Sequence, residues 1–170
     1  PDKDDLILSG CPDWLKGSPE VKALADQPKY QGWNRHVWGA DRSNKALYRS
    51  TLQSTTRAGG EAHRAVDGSK ESYHYLRSCT QTATEANPWW SVDLGERMDI
   101  SGVRIWTRGD CCGGDLEGAQ IRVGDTMYWD QAGTCARIGS LGRGENATYP
   151  CHKTGRHVFV MHRTETAEVK

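Results

Sequence analysis

The chain lacks a surplus of charge of either sign, a long apolar run, an initiating methionine and an internal repeat. Its 170 residues carry 22 Lys plus Arg against 22 Asp plus Glu, a formal net charge of zero. Proteins that hold nucleic acid or an acidic membrane through their overall field carry a basic surplus, so only a local patch could serve that purpose here. The longest uninterrupted apolar runs are about four residues, such as Val158 to Met161, against the roughly 20 a membrane-spanning helix needs. The chain starts at Pro1 with no signal-peptide pattern and reads as a processed or excised mature segment. Cys-x2-Cys spacing is missing and the closest pair is the adjacent Cys111-Cys112, so structural zinc is not expected. A Gly-rich phosphate loop and a Ser nucleophile elbow are missing as well.

What is present points to a small β protein. The length suits one domain, perhaps with an appendage. Apolar residues make up 36% and mean hydropathy is −0.75, on the polar side, yet seven Trp can fill a compact core. Nineteen Gly and six Pro suit a turn-rich β fold better than a helix bundle. Six Cys allow 15 pairings, so count alone leaves connectivity open. Asn146-Ala147-Thr148 is an N-glycosylation sequon. The even cysteine number and the sequon together favour an oxidising, extracellular setting and a secreted protein.

The texture changes along the chain. Residues 1–43 form an extension in which Ser18-Pro19-Glu20, ahead of Val21, Leu24 and Ala25, reads as the start of a short helix ending near Pro28. Trp14, Trp33 and Trp38 surround it, and a segment so rich in Trp is expected to pack on the domain. From Asn44 on, short strands alternate with Gly, Asn, Asp and Pro turns. Ser91–Leu94, Gly102–Thr107, Ala119–Val123 and His157–Val160 are the strand candidates. The pattern reads as a β-sandwich or jelly roll.

Residues 44–170 resemble the F-type lectins, or fucolectins. Asn44-Lys-Ala-Leu47 with Gln53-Ser54 resembles the opening strand, and Ala65-Val-Asp-Gly68 the start of a calcium loop. Ser78-Cys-Thr80, Ala86-Asn-Pro-Trp-Trp-Ser-Val-Asp-Leu94 and Arg108-Gly-Asp-Cys-Cys-Gly113 follow in order. Gly118-Ala119, Val123-Gly124 and Cys135 to Cys151 around Ile138-Gly-Ser140 complete the match. Trp-x-Val-Asp-Leu is shared with discoidin-type domains; adjacent cysteines after Arg-x-Asp are far more specific. The resemblance implies an eight-stranded jelly-roll sandwich, all-β, with a calcium ion and a shallow fucose site in loops at one end.

The resemblance also implies roles for single residues. Fucose-binding members present His…Arg-x-Asp-x4-Arg/Lys. Arg108 and Asp110 keep the middle of that pattern, but Gln81 stands at the His position and Asp115 at the second basic one. Sugar oxygens accept hydrogen bonds, and cationic donors make the stronger ones. A monosaccharide held at on the order of 0.1 mM has only about 5.5 kcal/mol of binding free energy. One lost bond to a charged group costs roughly 1.5–3 kcal/mol. Gln81 still donates; an ionised Asp115 does not and can instead pair with Arg108. Ordinary fucose binding is therefore expected to be weak or lost. Cys111 and Cys112 would form a vicinal disulfide with a flat apolar face and an unusual peptide geometry, and Tyr75 resembles a loop residue near the sugar.

Calcium, by the same resemblance, would take the Arg64 carbonyl, Asp67, Ser69, Ser78, the Ala167 carbonyl and Glu168. Oxygen donors of this kind suit a hard cation. Asp67 turning back on its own backbone beside Gly68 is the plainer alternative. Cys135 would pair with Cys151. The family partner of Cys79 is replaced by Ala167, while Cys11 is extra, so under this resemblance the remaining bridge is Cys11–Cys79.

Catalysis is not indicated. Asp110 and Asp115 are the only paired carboxylates near a plausible pocket, and glycosidase chemistry needs two flanking a sugar. His152, His157 and His162 converge on nothing by their spacing. The expectation is a non-enzymatic recognition domain that serves as a protein-interaction or structural module. The alternative is a lectin of changed glycan specificity. Its partner is then a glycan of unknown identity or a protein.

Overall fold

The computed structural model describes residues 5–8, 44–77 and 79–164. Among them lie six strands: β1 (Asp5–Leu8), β2 (Ser50–Gln53), β3 (Trp89–Trp106), β4 (Gln120–Gly124), β5 (Gly133–Arg137) and β6 (Asn146–Met161). The only helical turns among the described residues are short 3-10 pieces at Ala62–Ala65, His74–Leu76, Gly113–Leu116 and Trp129–Gln131. The fold is an all-β sandwich. The strand order is β1-β3-β6-β4-β5, with β2 also on β3. Every pairing is antiparallel except β1, which runs parallel to β3 with Asp5 across from Gly102 and Leu8 across from Ile105.

The two long strands explain the layering. β3 meets β6 first through Trp89–Asp93 and again through Met98–Trp106, with register shifts between Asp93 and Met98 and between Ile100 and Gly102. Such irregularities bend a strand. Pro150, which donates no ladder hydrogen bond, sits at the second one, where its missing N–H is tolerated. Each long strand therefore supplies two arms. Ser91–Leu94 and Gly102–Thr107, separate strands by their alternation, fall on the two arms of β3, which ends at Trp106. Val92 and Leu94 from one arm and Val103 and Ile105 from the other join Ile121, Val123 and Val158 in one core. Each such side chain contributes about 1.5–3 kcal/mol on burial.

One expectation changes. Asn44–Leu47 is a turn rather than the opening strand, which is β2. The reason is local: Asn44 Oδ1 accepts the Ala46 N–H at 3.1 Å, and Tyr48 then takes φ +57°. The helix expected at Ser18 to Pro28 lies outside the described residues.

Candidate recognition site

The ends of β3 deliver the site. Beyond Trp106 the chain stays tied to the opposite loop: Thr107 N–H donates to Glu145 O at 2.9 Å, and Gly144 N–H to Arg108 O at 2.9 Å. Arg108 thus starts from a fixed backbone. Its guanidinium donates through Nε to Asp110 Oδ1 at 3.0 Å and through Nη2 to Asp110 Oδ2 at 2.8 Å. The third donor, Nη1, goes to Gln81 Oε1 at 3.0 Å. The Arg108 hydrogen bond, opposed by partial desolvation, holds the Asp110 carboxyl down at about 2. The same Asp110 hydrogen bond raises the Arg108 pKa.

Gln81 is held just as firmly. Its N–H donates to Gly60 O at 2.9 Å, and its carbonyl accepts from Arg57 N–H at 3.0 Å. A Cβ on Gly60 would lie 2.6 Å from Gln81 N, so only glycine allows this approach. Gln53 Nε2 bridges Gly60 O at 3.0 Å and Gln81 O at 3.4 Å, and Thr80 Oγ1 bonds Gln53 Oε1.

Cys111 and Cys112 are bonded to each other, with Cα atoms 3.7 Å apart. No peptide bond among the described residues is cis; Cys112 instead takes φ +63°, a left-handed conformation uncommon outside glycine. The following turn, Gly113–Leu116, carries Asp115 at the surface. Asp115 acts on Arg108 only through space, because Asp110 and Gln81 hold the three guanidinium nitrogens. The Asp115–Arg108 pairing that the sequence allows is therefore not made as a hydrogen-bonded pair. The Asp115 carbonyl instead lies 2.7 Å from His162 Nε2.

Gln81, Arg108, Cys112, Asp115, Trp106 and His162 all line one cavity of about 390 Å³. Asp110 does not line it and reaches it only through its hydrogen bonds to Arg108. Tyr75 is 72% exposed on the neighbouring turn, its ring 5.5 Å from that of Tyr73. Sequence reading missed His162 and Trp106. Both lie far along the chain from Gln81, and no spacing motif links them.

The expected calcium positions split into two groups. Arg64 and Asp67 are buried and Ser69 half-buried, all on the loop that follows β2. Asp67 Oδ1 accepts the Ser69 N–H at 3.0 Å, and Ser69 Oγ accepts the Glu71 N–H at 3.1 Å. The self-contained turn expected as the plainer alternative is thus present. Asp67 and Ser69 carry oxygen atoms, the donor type a hard cation takes, but no cluster of three or more acidic, His or Cys side chains gathers there among the described residues. Trp90 Nε1 donates to Ala62 O at 2.9 Å and fastens this loop to β3. Ser78, Ala167 and Glu168 lie outside the described residues, as does Cys11 of the expected Cys11–Cys79 bridge. Cys79 Sγ lies 3.4 Å from Ser72 O. Cys135 is bonded to Cys151, tying β5 to β6.

The family model of the NedA-like, galactose-binding domain matches residues 64–160. A fucolectin of Anguilla anguilla is 39% identical over 109 residues, covering 63% of this chain and 69% of the eel protein. The chain belongs to the fucolectin family. A fucolectin from the serum of the striped bass Morone saxatilis superposes with a TM-score of 0.69 at 28% identity, over 73% of this chain. The chain spans 43% of that bass protein, less than half. The lectin domain of lectinolysin, solved with Lewis B antigen, superposes with a TM-score of 0.61 at 30% identity, covering 71% of this chain and 86% of that one. The fold is thus a carbohydrate-binding, galactose-binding-like β-sandwich, and the domain is non-enzymatic. No helix among the described residues is long and apolar enough to cross a membrane.

Proposed function

We propose that this fucolectin-type domain is an extracellular recognition module, stabilised by calcium, whose altered fucose site binds ordinary L-fucose weakly or not at all. It serves as a protein-interaction or structural module. One observation carries the reading: Gln81 turns its carbonyl oxygen to Arg108 at 3.0 Å and takes a guanidinium N–H a sugar would otherwise share. Three of the five N–H groups are then committed within the protein. Asp115 adds an acceptor where fucose needs a donor. A calcium ion would be held by the Arg64 carbonyl, Asp67 and Ser69, completed by Ser78, the Ala167 carbonyl and Glu168. It would pin the loop fastened through Trp90. The serum origin of the bass relative and the two disulfides support the extracellular setting.

A second reading, a lectin of changed glycan specificity, is favoured by the exposed Asp115 carboxylate at the cavity. It would accept hydrogen bonds from hydroxyls or an amine. The test is a gain of function. Gln81→His, which restores the family residue, and Asp115→Arg, which restores a cationic donor, should raise L-fucose affinity about 10–100-fold apiece by calorimetry. A double variant no better than the parent contradicts the assignment of these two positions. A glycan array probed with the parent separates the readings: retention of another sugar class favours the second.

A further inference from the structure

We propose that Asn146 is N-glycosylated and that the first sugar of its glycan stacks on Trp106 across the β3–β6 ladder. The modification rests on the extracellular reading above; the stacking rests on register. Asn146 is exposed, opens β6 and pairs directly with Trp106. Directly paired residues carry their side chains on one face, with Cβ atoms about 4.5–5.5 Å apart. Two contacts define that face independently. Arg104 Nε donates to Thr148 Oγ1 at 2.7 Å, and the Arg104 guanidinium carbon lies 5.8 Å from the Trp106 ring centroid. Arg104, Trp106, Asn146 and Thr148 therefore form one outward quartet, while Val103, Ile105 and Cys151 point into the core.

The sequon thus sits beside a half-buried indole already braced by a cation. An aromatic face with a polar edge suits an N-acetylated hexose, whose ring offers C–H groups to the indole and hydroxyls to water. In the transfer, the Asn146 amide nitrogen bonds to the anomeric carbon of an oligosaccharide on a lipid pyrophosphate. The bond from that carbon to the phosphate oxygen breaks, the amide gives up one proton, and the lipid pyrophosphate leaves. Gly144, two residues before Asn146, is bonded to Arg108 O at 2.9 Å, so the glycan would stand at the rim of the cavity that Trp106 lines.

The test uses the full chain secreted from a eukaryotic host, then trimmed enzymatically to one N-acetylglucosamine. Peptide mass should show that sugar on Asn146, absent in Asn146→Gln. The trimmed protein should melt about 2–4 °C above Asn146→Gln. In a Trp106→Val background that gain should vanish. Should Trp106→Val fail to fold, proton contacts between the N-acetyl methyl and the Trp106 indole in the parent provide the same test. An unmodified Asn146 in a secreted chain with its disulfides closed overturns the proposal and leaves the extracellular reading standing. A gain that survives loss of Trp106, or an indole without contact to the sugar, overturns the stacking.

Discussion

Arg108 joins what the sequence shows to what only the fold shows. Its pairing with Asp110 is local and legible, because Arg-x-Asp places a cation and a carboxylate two residues apart. Its pairing with Gln81 spans 27 residues and depends on Gly60 admitting the Gln81 backbone, so no motif announces it. The His162 contact to Asp115 spans 47 residues and is equally invisible to spacing. The acid limit of the site follows from Asp110. Its carboxyl is depressed from 3.8 to about 2, so the stabilisation is complete above pH about 4 and is lost as pH falls through about 2. Carboxyl NMR should show an Asp110 midpoint near 2 in the parent and near the ordinary carboxylate value in Arg108→Ala. A midpoint near 4 in the parent would refute the clamp.

Elements hold the site in place through close backbone approaches. A Cβ on Gly113 would meet the Gly142 carbonyl carbon and oxygen at 2.5 Å, so the turn carrying Asp115 fits against the 142–145 loop only with glycine there. Gly113→Ala should cost about 1–3 kcal/mol in chemical denaturation. A loss near zero would mean that loop yields freely. The bend of β3 has its own clamp. Arg156 Nε and Nη2 donate to Asp93 at 2.7 and 2.8 Å, while Gly95 N–H donates to the same carboxylate at 2.8 Å. The strands themselves are legible, since period-two alternation runs through Ser91–Leu94, Gly102–Thr107 and His157–Val160. That two of these belong to one bent strand is not, because a register shift leaves no local signature. Asn44–Leu47 misled because its Asn serves a turn as well as it opens a strand.

At the scale of the molecule, a disulfide reinforces the core, and the proposed calcium ion would add to it. The Cys135–Cys151 bridge closes a loop of sequence separation 16. Replacing both cysteines with serine should lower stability by about 3 kcal/mol in the chain-entropy description. Calcium should act on the 64–69 loop. Chelation should lower Tm in the parent but not in Asp67→Asn, whose amide is a poorer ligand. Equal melting with and without calcium would contradict the proposed ion. The central claim is that the family fold is retained while its fucose site is altered at Gln81 and Asp115. Its most direct test is calorimetric titration of L-fucose into the unmodified chain with calcium present. A flat trace, or binding only above millimolar concentrations, is the predicted result. Saturable calcium-dependent binding at or below about 0.1 mM, abolished by Arg108→Ala, would contradict it and make the chain a working fucose lectin.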